Sequence, residues 1–87
     1  MQTLVGKYSE QVDRLVDRLP RIRKARGMSQ QDVANASGIG RVAIGKIEVG
    51  ARGLSLAEAL AIAEALDVDL MEALSDQPVV LRLPAID

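Results

Sequence analysis

The stretch Ser29–Glu48, SQQDVANASGIGRVAIGKIE, sets two short helical patterns on either side of a glycine-containing turn. Ser29 precedes a polar first turn of Gln30, Gln31 and Asp32. Its hydroxyl can therefore cap a helix running to about Ser37, with Asp32 favourable near the positive amino end. Gly38 stops that helix. A second runs from about Arg41 to Val49, with Ile44 and Ile47 spaced to face inward and Gly50 placed as its carboxyl cap. Arg41 and Lys46 then ride on the other side. Two short helices joined in this way can present the second to a DNA groove, whereas the helices outside this stretch would indicate only a small bundle.

On the amino side, Val12, Leu15, Val16, Leu19 and Ile22 recur at helical spacing and predict a helix from about Ser9 to Arg26. Pro20 lacks the donor that would bond the Val16 carbonyl and crowds that turn, which predicts a kink or a division into two helices. On the carboxyl side, Ser55 caps a helix whose Leu56, Ala59, Leu60, Ala63 and Leu66 form an apolar stripe. Asp69 starts a short last helix, Leu70 to about Ser75, whose Leu70 and Leu74 can close the core. The tail then changes character. Val79, Val80, Leu81, Arg82 and Leu83 favour β structure and lie between Pro78 and Pro84. A lone strand needs a partner, so Val79, Leu81 and Leu83 are candidate dimerisation residues in an antiparallel ribbon shared with a second subunit. The alternative is a flexible or merely packed tail. The expected division is residues 1–18 as an amino-terminal extension and start of the first helix, 19–75 as the domain proper, and 76–87 as the tail.

A chain of 87 residues suits one domain with a small core and leaves little room for a catalytic cleft. Phe and Trp are absent and Tyr8 is the only aromatic residue, so the core falls to aliphatic side chains and Met. The lack of Cys and His removes disulfides, thiolate or imidazole metal sites and nucleophilic triads. Neither an enzyme nor a cofactor or metal is expected. The start, MQTLVGKYSE, has no secretory pattern, and no window approaches the ~20 apolar residues of a membrane span. A cytoplasmic protein is expected, associated with the nucleoid when on DNA, or in the host cytoplasm if phage-encoded.

A net charge of −1 and a pI near 5.4 argue at first against a nucleic-acid partner. Their distribution corrects this. Residues 18–54 carry eight basic against two acidic residues, net +6, and residues 55–87 carry one against seven, net −6. Such a chain can turn one face to phosphates while the other orients the encounter. Two solvated charged surfaces are the alternative.

Residues 19–74 resemble the phage-repressor (XRE-type) helix-turn-helix family, which includes Cro and the lambda-type repressors. The ungapped run Arg23, Gly27, Met28, Ser29, Gln30, Val33, Ala34, Gly38, Ile39, Ile44, Ile47, Glu48 and Gly50 carries the likeness, and SLAEALAIAEALDVDLMEAL resembles the family's closing helices. The resemblance implies an all-α, compact five-helix lambda-repressor-like domain, here with an extended amino-terminal helix and a short carboxyl-terminal β-strand. It also implies a sequence-specific transcriptional regulator, a dimeric repressor of phage or bacterial type binding a palindromic operator in double-stranded DNA. Ala34 would let the two motif helices approach, and Gly38 permits the turn between them. The family pattern pairs Arg23 with Glu48, joining the first helix to the end of the recognition helix, and places the Gln30 amide on the DNA backbone.

With its amino end toward the base edges, the recognition helix would turn Arg41, Val42, Gly45 and Lys46 to DNA. Arg41 has the fork that suits guanine, Val42 and Ala43 suit a thymine methyl, and Lys46 reaches a base or a phosphate. Arg52 is a candidate backbone contact, with Arg21 and Lys24 behind it. Gly40 and Gly45 depart from the family's usual Ser, Thr or Asn. Gly45 either loosens the helix or admits close backbone approach to DNA. GRVAIGK, residues 40–46, imitates a phosphate-binding loop, but Ile47 stands where that loop needs a hydroxyl for magnesium, and a helix rather than a strand precedes it. A second reading, from a different class, is an antitoxin or antirepressor-like module that grips a protein partner with its tail and also binds its own promoter.

Overall fold

The computed structural model describes residues 3–81, and five α-helices make up its secondary structure: α1 Leu4–Ala25, α2 Gln30–Ser37, α3 Arg41–Glu48, α4 Leu56–Ala65 and α5 Leu70–Leu74. Each boundary has a local cause. Thr3 Oγ1 accepts from the Gly6 amide and starts α1 five residues before the expected Ser9. The helix runs through Pro20 without dividing, because Leu15, Leu19 and Ile22, on both sides of the proline, are all buried in one seam. Ser29 and Asp32 form a reciprocal capping box on α2, and Ser55 and Glu58 form another on α4. Gly38 ends α2 at φ +80°, a left-handed conformation that a side chain would strain.

The core gathers Leu15, Leu19 and Ile22 of α1, Val33 and Ala34 of α2, Ile44 and Ile47 of α3, Ala59, Ile62 and Leu66 around α4, and Ala73 of α5. The buried side of α4 differs from the expected stripe. Ala59, Ile62 and Ala63 face inward, followed by Leu66, while Leu56 and Leu60 are exposed. α4 is apolar on nearly every side, so periodicity alone fits two faces, and packing against α2 selects one.

The expected β-strand is a second correction. Val79, Val80 and Leu81 form no strand, and Leu83 lies outside the described residues. Side chains of the same molecule fix this segment instead. Arg18 Nη2 donates to the Gln77 carbonyl at 2.7 Å, the Val80 amide donates to Glu72 Oε1 at 3.1 Å, and Val79 and Leu81 pack against the core. The ribbon expected across a twofold axis therefore has no strand to start from among the described residues. No helix among these residues is long and apolar enough to cross a membrane.

Glu58 joins the start of α4 to the preceding loop. Its carboxylate accepts the Ser55 amide at 3.0 Å and the two terminal Arg52 nitrogens, Nη1 and Nη2, at 3.1 and 2.8 Å. Arg52 and the Ser55 amide together hold the carboxyl down at about 2. A folded-state value below the unfolded one means that this stabilisation is present above the ordinary carboxylate range and is lost as pH falls toward 2. Thermal melts from pH 6 to pH 2 should therefore show part of the acid-induced drop in Tm disappearing in Glu58→Gln, whose melting is already lower at pH 6. An identical pH profile for the two proteins would refute this role.

Candidate nucleic-acid interface

α3 lies with Ile44 and Ile47 buried, at 2% and 1% exposure, which fixes its opposite side to solvent. Arg41, Val42 and Lys46 are exposed there, and Ala43 and Gly45 are half-buried along its edges. Val49 continues the same face at the helix end and is fully as exposed. It stands one turn beyond Lys46 and two beyond Val42, a placement on the outward face that the sequence reading, which ran the helix to Val49, does not assign. A Cβ at Gly45 would meet only the Gln30 amide, at 3.7 Å or more, so nothing inside the domain requires glycine there.

Three side chains bind the motif together behind that surface. Arg23, 9% exposed, donates through Nε to Glu48 Oε2 at 2.7 Å and through Nη2 to Oε1 at 3.1 Å, and its Nη1 reaches the Met28 carbonyl at 3.0 Å. Gln30 Nε2 donates to the same Oε1 at 3.0 Å. Burial pushes the Glu48 carboxyl up, but the hydrogen bonds from Arg23 and Gln30, with the Arg23 and Lys24 charges, more than reverse this and hold it below its ordinary value. The Glu48 hydrogen bond raises the Arg23 guanidinium in turn. One carboxylate thus ties α1, the first residue of α2 and the last of α3. The Gln30 amide is held beside Gly45, with one N–H donated to Glu48. Ala34, 6% exposed, sits at the back of α2, and its carbonyl accepts the Gly38 amide at the turn.

The basic segment is less open than its net charge implies. Arg18 Nη1 caps the end of α5, donating to the carbonyls of Ala73 and Ser75 at 2.9 Å. Arg26 serves the end of α4 through the carbonyls of Leu66 and Asp67. Arg14 reaches the Leu74 carbonyl. Each of these guanidiniums satisfies carbonyls that a helix leaves without partners and places a cation at the negative end of its dipole. Arg52 is committed to Glu58, and Arg23 to Glu48. Arg21 makes only an exposed 3.6 Å contact with Asp17. Lys24, Arg41 and Lys46 donate no side-chain hydrogen bond and form no ion pair among the described residues. The sequence-expected readers Arg41, Val42, Gly45 and Lys46 therefore share one outward helix with Gln30 at its flank, while Arg52 is engaged elsewhere. Sequence reasoning missed the carbonyl-binding roles of Arg14, Arg18 and Arg26, which depend on contacts 40 to 60 residues away.

The start of α3 is built unlike that of α2, α4 or α5. Gly40 makes no side-chain cap, the first turn has no acidic residue, and Arg41 stands at the first position. The other three each have a side-chain cap and an acidic residue in the first turn. The amino end of α3 is thus the one whose amides and positive dipole are left uncompensated.

A family model described as helix-turn-helix matches residues 21–72. Among solved structures, the restriction-modification controller protein C.AhdI from Aeromonas hydrophila is 38% identical, with a TM-score of 0.67 over 76% of this chain and 98% of that one. No curated protein sequence matches.

Proposed function

The chain belongs to the helix-turn-helix family of the XRE type, whose members are DNA-binding transcriptional regulators, and from that membership we propose that it is a repressor that binds a palindromic operator as a dimer. One α3 enters the major groove of each half-site, and Gln30 and the amino ends of the motif helices sit on the flanking phosphates. The observation that carries this reading is the outward face of α3, where Arg41 and Lys46 are uncommitted while most neighbouring arginines are engaged inside the fold. Arg41 reads a guanine edge, Val42 and Ala43 meet a thymine methyl, and Lys46 reaches a base or phosphate. The likeness to a restriction-modification controller supports placing this regulator in a bacterial gene-control circuit of that kind. An alternative built on the tail gripping another protein gains nothing from Val79 and Leu81, which pack on the core of their own molecule.

A protection footprint on the DNA beside the chain's own gene tests binding, symmetry and autoregulation together. The expected pattern is two protected half-sites with centres about 34 Å, or one helical turn, apart. Affinity should fall on the order of 1,000-fold between 50 and 200 mM salt if six or more phosphates are neutralised by the two copies. Affinity that stays flat over this range, or an unprotected promoter, would count against the interface.

A further inference from the structure

The guanidiniums of this fold are tied in two different ways. Arg23 holds Glu48 across 25 residues, with side chains only 11% and 8% exposed, and Arg14, Arg18 and Arg26 hold helix-end carbonyls still farther along the chain. These ties close the domain. Arg52 holds Glu58 only six residues away, and the two side chains are 41% and 21% exposed. That pair joins a loop residue to the first turn of the next helix, outside the core, and parting it opens no part of the interior.

Both partners are provided for when the pair parts. Glu58 keeps the Ser55 amide at 3.0 Å and lies in the first turn of α4, where the positive end of the helix favours its charge. The return bond of the cap, from the Glu58 amide to Ser55 Oγ, does not involve Arg52. Besides Glu58, Arg52 gives up only a 3.3 Å bond to the Gly53 carbonyl, and residues 51–53 are all exposed, so water takes that acceptor. An ion pair in such a setting is worth little, whereas a phosphate diester offers the same planar fork two anionic oxygens.

The backbone also carries Arg52 to the end of the recognition helix. The Ala51 amide donates to the Lys46 carbonyl at 2.8 Å, which turns the chain back against the last turn of α3, and Arg52 follows directly. An eight-residue helix is about 12 Å long, comparable to the width of the major groove. With the amino end of α3 at the base edges, the residues just past its carboxyl end stand at the rim of the groove, where the phosphates run.

We propose that Glu58 and a DNA backbone phosphate compete for Arg52: Glu58 holds the guanidinium in the free protein, and a phosphate at the groove rim takes it when α3 is seated. The proposal rests on the DNA-binding reading above and adds a contact that the free protein withholds. Glu58 touches no DNA and acts through Arg52. Each bound copy must first part the pair, so every duplex is held less tightly than the basic face alone allows.

Fluorescence anisotropy with a short labelled duplex of random sequence at low salt tests this, because a phosphate contact does not depend on sequence. Glu58→Gln keeps the cap, since a glutamine oxygen accepts the Ser55 amide equally, and releases Arg52. It should bind the duplex about 3- to 5-fold more tightly. Arg52→Ala should bind more weakly and remove about one counterion per bound copy from the salt dependence. Once Arg52 is alanine, adding Glu58→Gln should gain almost nothing, because no guanidinium is left to release. Glu64→Gln, which removes the same charge six residues farther along α4, should bind like the wild type. Melts at pH 6 check that each variant is folded at the binding temperature. Tighter binding by a Glu58→Gln protein that melts lower is a combination that a purely structural ion pair does not give. The proposal falls if Glu58→Gln binds no more tightly than the wild type, or if its gain is as large without Arg52 as with it, the mark of plain charge repulsion. In both cases a wild type that binds the duplex leaves the DNA-binding reading standing. If the wild type and Glu58→Gln both leave the duplex unbound at low salt, the reading and the proposal fall together.

Discussion

Replacing Glu48 by Ala is expected to lower the unfolding free energy by about 3–5 kcal/mol, a large part of the roughly 5–15 kcal/mol that holds a small domain folded. The loss follows from what remains. Arg23 stays buried with Nε and Nη2 facing no acceptor, and the Gln30 amide loses its anchor. An uncompensated buried guanidinium costs far more than the net worth of the pair that it came from. For that reason Arg23→Met/Glu48→Leu should recover most of the loss, since a well-packed apolar pair removes both desolvation penalties together. Urea unfolding measures both, with the midpoint moving and the m-value unchanged. Acid should imitate the single substitution. The carboxyl is held below its ordinary value, so the stabilisation is full above that value and is lost as pH falls through the depressed one. A cost under about 1 kcal/mol for Glu48→Ala would show that the three helices are held by their apolar core alone.

The parts of this architecture that were legible in the sequence are those fixed within one or two helical turns. Ser29 with Asp32 and Ser55 with Glu58 are caps three residues apart, and the left-handed turns at Gly27, Gly38 and Gly50 fall where the helices were expected to stop. Ile44 and Ile47 face inward as their spacing requires. Partners far along the chain were not legible. Arg18 and Arg26 count toward the basic segment, yet they bind the carbonyl ends of α5 and α4, as does Arg14 outside that segment. Summed charge registers each arginine but not its contacts. The tail misled for a related reason. β-branched residues record a fit to a pleated, half-buried surface, and with no neighbouring strand the same apolar side chains settle on the core. In α4 the apolar pattern is too continuous to choose a face: its spacing fits Leu56 and Leu60 inward, whereas Ile62 holds the buried side.

Arg41→Ala is expected to cost the operator about 10- to 100-fold in affinity, with preference lost at the base pair that the guanidinium reads, while binding to unrelated DNA weakens only slightly. Gln30→Ala should do the reverse, weakening every sequence by a similar factor and leaving the preference intact, because a phosphate carries no sequence information. The two substitutions also differ in the free protein. Arg41 makes no ion pair among the described residues and opposes the positive end of the α3 dipole, so its removal should leave the melting temperature unchanged or slightly raised. Gln30→Ala removes a hydrogen bond to Glu48 and should lower it. A substitution that harms binding while sparing or helping stability marks a residue kept for its ligand. The start of α3 breaks three local rules together, with no side-chain cap at Gly40, a cation at its first position and a glycine at 45 in its interior, although α2 and α4 of the same chain obey them. If Arg41→Ala binds the operator as tightly as the wild type and with the same preference, α3 does not read bases through its amino end, and those departures need another cause.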